Sequence, residues 1–149
     1  MRLPWPAVFQ VIIILVAACS GPGSSPPGSA LASDSGTGDT IAVRLSDGLT
    51  MAPARMTVKA GRPTTFVVTN AGATNHEFYL GDAAAQAAHE AEMASMGGMS
   101  HDEPAGIGLK PGETKSLTYT FPKPGEVLAG CHVTGHYAAG MKALITVTD

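Results

Sequence analysis

The sequence predicts an all-β domain, a sandwich or barrel of about seven short strands with one helical insertion, and three observations carry that expectation. Runs of β-branched and apolar residues recur at 40–45, 55–59, 64–69, 77–80, 116–121, 126–129 and 143–148, each bounded by Gly, Pro, Asn or Asp, as strands are. Alternation is clear in Leu117-Thr118-Tyr119-Thr120-Phe121 and in Leu144-Ile145-Thr146-Val147-Thr148, the pattern of strands that turn one face to a core. Turn signals at 59–63, 70–72, 110–113 and 123–126 separate the runs. Short strands at this spacing suggest an antiparallel sandwich or barrel.

The insertion is the stretch 82–96. It is rich in Ala, Gln, Glu and Met, which are strong helix formers, and it follows Asp82, whose carboxylate can cap a helix start. The paired Gly97 and Gly98 end it.

The N-terminal region differs from the rest. Arg2 is followed by an apolar run over 8–18, about 11 residues, short of the ~20 needed to span a hydrocarbon core. With small residues ahead of its end, the run reads as a signal sequence. The tetrapeptide Val16-Ala17-Ala18-Cys19 resembles the lipobox of bacterial lipoproteins. That resemblance implies a signal peptide over 1–18 and a lipidated Cys19 as the mature N-terminus, anchored to a membrane on its extracytoplasmic, periplasmic or cell-surface side. Residues 19–38 are mostly Gly, Pro and Ser, too poor in apolar surface to fold, and read as a flexible tether. The remaining 39–149 is one domain with one core.

The formal net charge of −3 offers no basic footprint for nucleic acid but permits a cationic redox partner. Two cysteines are present. With Cys19 lipidated, Cys131 has no disulfide partner in the chain, which leaves it as a metal ligand, a buried thiol or an intermolecular link.

The segment from Gly130 to Met141 favours the ligand. Cys131, His136 and Met141 stand five residues apart in succession, so one short loop carries a soft thiolate, an imidazole and a thioether. These are three of the four groups of a His₂Cys copper site with a weak axial Met. His76, in Thr74-Asn75-His76-Glu77-Phe78, is the best source of the second imidazole. The competing readings are a small buried hydrophobe for Cys131, a core residue for Met141 and a surface histidine for His76. His132, next to Cys131, is expected on the opposite side of an extended chain.

Over about 40–148 the chain resembles the cupredoxins, the blue (type 1) copper proteins that include plastocyanin, azurin and rusticyanin. The C-x₄-H-x₄-M spacing is most similar to that of rusticyanin-like members. The resemblance implies a Greek-key β-sandwich with one type 1 copper at one end, held by His76, Cys131, His136 and an axial Met141. It also implies one-electron transfer between Cu(II) and Cu(I), with partners such as a c-type cytochrome or a membrane oxidase. One position departs from the family. Many cupredoxins carry Asn or Ser after the upstream histidine, where this chain has Glu77.

A second group of donors lies in the insertion, where His89, Met93, Met96, Met99 and His101 offer imidazoles and thioethers suited to Cu(I). The plainer reading is a Met stripe packing a small helix onto the sandwich. Taken as donors, they point to a copper-handling protein, a chaperone, scavenger or resistance factor, with copper-transport proteins as partners. No enzyme is expected. The five histidines form no His-x-His pair of the kind a multicopper oxidase needs, a single available cysteine cannot bridge a binuclear centre, and a Cys-His hydrolase leaves Met141 unexplained.

Overall fold

Alternation in the sequence becomes alternation of burial in the strands. In the computed structural model, which describes residues 38–98 and 101–149, the order is β1 (Asp39–Ser46), β2 (Thr50–Ala52), β3 (Arg55–Lys59), β4 (Pro63–Asn70), β5 (His76–Gly81), α1 (Ala83–Ser95), β6 (Gly106–Leu109), β7 (Thr114–Thr120), β8 (Gly125–Gly130) and β9 (Lys142–Thr148). The signal sequence 1–18, Cys19, the tether up to residue 37 and Met99 lie outside the described residues. Along β4, Thr64, Phe66, Val68 and Asn70 are buried while their neighbours are partly exposed. Strands β3 and β9 repeat this period of two.

The strands form two sheets, one of four in the order β2-β1-β4-β7 and one of five in the order β3-β9-β8-β5-β6. Their inner faces meet in one core. Val43, Leu45, Phe66, Val68 and Leu117 come from the first sheet, and Val58, Phe78, Leu80, Ala129, Ile145 and Val147 from the second. Phe66 lies at its centre, fully buried, 5.3 Å from the ring of Phe78 and 6.3 Å from that of Phe121.

The sandwich expected from the sequence is present, with two differences. It is not wholly antiparallel, because β1 pairs with β4 and β3 with β9 in parallel. Among the described residues nine strands stand where about seven were expected. The added ones are β2, three residues long, and β6, which reads Gly-Ile-Gly-Leu; both are too short or too rich in glycine to show a run. Helix α1 forms within the expected 82–96, with the Asp82 side chain accepting from the Ala85 N–H.

Pairing within the second sheet places the site. Strand β8 runs antiparallel to both β5 and β9, with Gly130 opposite Tyr79 on one side and Lys142 on the other. The start of β5, the end of β8 and the start of β9 therefore share one end of the sandwich. His76, Cys131 and Met141 sit at those three points.

Truncating Phe66 to Ala should lower the unfolding free energy by about 3–5 kcal/mol, read as a lower urea midpoint for the metal-free protein.

Candidate metal centre

His76 is the first residue of β5, and Cys131 and Met141 stand immediately after β8 and before β9. The loop between them closes on itself through main-chain bonds. Cys131 N–H donates to Met141 O at 3.1 Å, Met141 N–H to His136 O at 3.0 Å, and His136 N–H to Val133 O at 2.9 Å. Gly135 and Gly140 adopt positive φ, +83° and +97°, which lets so tight a loop turn. Gly130 is needed for space instead, since a Cβ there would lie 2.4 Å from Gln86 Oε1 and 2.8 Å from the Tyr137 ring.

The donor atoms converge. Cys131 Sγ lies 3.4 Å from His136 Nδ1 and 3.8 Å from His76 Nδ1, and the three donor atoms are all within 4.8 Å of one another. His76, Cys131 and Met141 are fully buried and His136 is half-buried. The structure thus brings together the donor atoms of His76, Cys131 and His136, with the buried Met141 bonded through its main chain to the same loop. One sulfur, two imidazole nitrogens and a thioether in a dry setting fit a single copper ion better than zinc, for which a thioether is a poor ligand. When bound, copper supplies a one-electron couple.

The protonation states suit the ion. Burial first, and the nearby His76 second, hold His136 below the usual histidine range, so its ring is neutral and free to bind near pH 7. Burial pushes the Cys131 thiol up to about 11, against the opposing pull of the Glu77 and Val133 main-chain N–H groups. The Glu77 N–H lies 3.3 Å from Cys131 Sγ. Without a cation the sulfur keeps its proton, and a bound cation displaces it.

Asp47, in the turn from β1 to β2, is a functional residue that sequence reasoning missed. Its Oδ1 accepts from His76 Nε2 at 3.1 Å, which leaves Nδ1 turned toward the sulfur. The same carboxylate accepts from the Ala73 N–H at 2.6 Å and from the Thr74 hydroxyl at 2.7 Å. These bonds, the Ala73 N–H first, hold it far below the usual carboxylate range. A ligating histidine characteristically donates its other N–H to such a partner, which fixes the ring and raises its basicity. No local motif announces Asp47, because it lies 29 residues from His76.

Of the second donor group, His89, Met93, Met96 and His101 lie among the described residues. His89 is buried, with Nε2 on Glu77 Oε1 at 3.1 Å and its ring stacked on Tyr79 at 3.9 Å. Its Nδ1 faces Glu103 Oε1 at 3.3 Å and Glu92 Oε2 at 3.7 Å, and the His101 ring centroid is 6.2 Å from its own. Met93 is buried under α1, and Met96 is the half-buried C-cap of the helix. His132 points away from the donor atoms, as expected, into a buried pocket under α1.

The raised thiol pKa fixes two opposite pH trends. Copper binding should tighten about tenfold per pH unit between roughly pH 7.5 and 10, as one proton leaves per ion bound, measured by competition with a chelator of known protonation. The metal-free fold should lose stability as pH rises from 9.0 to about 11, because the unfolded thiol ionises first; denaturant titrations across that range read it. In Asp47→Asn a neutral amide replaces the carboxylate, and the His76 ring should lose basicity. Cu(II) affinity should fall about 10–100-fold and the reduction potential should rise, both measurable on purified protein.

Comparison with known proteins agrees with this geometry. Residues 40–148 match the model of the copper binding proteins of the plastocyanin/azurin family. The chain is 35% identical over 108 residues to the "Copper-resistant cuproprotein CopI" of Rubrivivax gelatinosus, covering 72% of this chain and 66% of that protein. It is 34% identical over 124 residues to the protein of the same name from Pseudomonas aeruginosa, covering 64% and 68%. The chain thus spans about two thirds of the length of these relatives. Among solved structures, the dithionite-reduced auracyanin of the photosynthetic bacterium Roseiflexus castenholzii superposes with a TM-score of 0.66 at 26% identity, covering 76% of this chain and all of that one. Fold, donor set and matched residues together make this chain a copper-binding cupredoxin, a member of the plastocyanin/azurin family.

Proposed function

We propose that the protein handles copper outside the cytoplasm, holding one ion in a type 1 centre that cycles between Cu(II) and Cu(I). The observation that carries the copper centre is the buried approach of Cys131 Sγ to Nδ1 of both His76 and His136, with Met141 bonded through its main chain to the same loop. A site of this kind, formed by three strand ends, favours retention of the ion and exchange of an electron over release of the ion. The relatives named as copper-resistant cuproproteins support a role in resistance. The lipobox-like Val16-Ala17-Ala18-Cys19 supports attachment to a membrane through Cys19 on its extracytoplasmic side.

A second reading is favoured by the likeness to a reduced auracyanin. In it the same centre is an electron shuttle, with a c-type cytochrome or a membrane oxidase as partner.

One measurement tests the centre common to both readings, and a second separates them. Purified protein with Cu(II) should show an intense thiolate-to-copper band that bleaches and returns with reductant and oxidant, and Cys131→Ala should abolish it; a colourless wild-type protein would remove the type 1 centre. A strain lacking the protein should become copper-sensitive and recover with the wild type but not with Cys131→Ala. Unchanged copper tolerance together with lost oxidation or reduction of a cytochrome would select the shuttle.

A further inference from the structure

Helix α1 buries a polar face. Gln86, His89 and Met93 are its buried residues, and the polar ones, joined by Glu90, reach two positions that flank the copper ligands in sequence. His89 Nε2 lies 3.1 Å from Glu77 Oε1. His132 bonds through Nε2 to Gln86 Oε1 at 2.6 Å and through Nδ1 to Glu90 Oε2. Gln86 is itself fixed, donating from Nε2 to Leu128 O at 2.9 Å and Tyr79 O at 3.1 Å.

Glu77 joins this network to the thiolate. Its main-chain N–H donates to Cys131 Sγ at 3.3 Å, and its carboxylate Oε2 accepts the His132 N–H at 3.1 Å. One residue thereby holds Cys131 twice, at the sulfur and at the peptide that follows it. The carboxylate is fully buried, and a buried carboxylate without partners is costly. Its second oxygen is satisfied by His89, which the stack on Tyr79, with rings 6° from parallel, holds in place.

We propose that Glu77 is a positioning residue for the copper thiolate and that His89 holds it there, so that the helical insertion is a structural arm of the metal centre. The inference rests on the copper reading above but not on the choice between resistance and electron shuttling. With His89 gone, Oε1 loses its donor and the carboxylate must turn toward another. Its grip on the His132 peptide changes with it, and so does the hydrogen bond at the sulfur, one of the levers that set a type 1 potential.

The test compares wild type with Glu77→Gln, His89→Leu and His89→Gln, reading the thiolate-to-copper band, the paramagnetic resonance spectrum, the midpoint potential and the melting temperature of the metal-free protein. Glu77→Gln and His89→Leu should each move the band and shift the Cu(II)/Cu(I) balance about tenfold, about 59 mV for one electron. His89→Gln, whose amide can still donate to Glu77, should return both toward the wild-type values. The double variant Glu77→Gln with His89→Leu should show the effect of one change, not the sum of two. Bands and potentials equal to wild type, with a lowered metal-free melting temperature alone, would make the network a packing contact and overturn the proposal. A wild-type protein that takes up copper without a thiolate band would instead overturn the copper centre itself.

Discussion

A buried sulfur is the constraint on which the rest of this structure depends. Cys131 sits at the junction of β8 with the loop, fully out of solvent, where an anionic thiolate is expensive without a cation and hydrogen-bond donors. Much of the surrounding architecture answers that cost. Antiparallel pairing of β5, β8 and β9 carries His76 and Met141 to the same end. The loop folds back through main-chain bonds so that His136 arrives on the other side. The Glu77 and Val133 N–H groups favour the anion, but burial outweighs them and the thiol rests protonated. A metal ion is the missing charge, which is why metal binding and loss of the proton are one event here.

The surroundings of the centre are asymmetric. Asp47, exposed, holds His76 from the turn between β1 and β2, in the other sheet. Glu77, fully buried, holds Cys131 from the strand beside it and is itself held from α1. The ligands are therefore fixed from both sheets and from the insertion, and no single loop carries them alone. A site so restrained changes little when the ion gains or loses an electron. That rigidity serves a carrier of electrons and a retainer of copper equally well, so geometry alone favours neither, and the choice between them rests on relatives and on cell phenotype.

Much of this was legible in the sequence because it is written locally. Alternation identified β7 and β9, and the loop spacing singled out Cys131 and His136, whose donor atoms converge in the structure, since each signal is local in the chain. The need for a second imidazole pointed to His76, and the resemblance to cupredoxins agreed with it. What was hidden depends on residues distant in the chain. The parallel pairings β1 with β4 and β3 with β9 join segments whose partners no periodicity names, and β2 and β6 exist because neighbours pair with them. Asp47 was missed for the same reason. The helix formers of α1 mark it as a helix, but composition does not show which face it buries, and that face carries Gln86 and His89 beside Met93.

That buried face bears on why the insertion is more than a filler. A helix covering the flank of a sandwich is most simply docked with apolar side chains, which tolerate small slips in register. Hydrogen-bonded polar groups do not, because each donor must meet its acceptor within a few tenths of an ångström or leave a buried group unsatisfied. Burying Glu77, His89, His132 and Gln86 together therefore gains little net stability over an apolar contact but fixes where α1 sits. The polar groups reach Glu77 and His132, the residues that follow two ligands, so the register they fix is that of the helix against the copper loop. Placement of the thiolate and placement of α1 are, on this argument, one problem solved by one set of bonds.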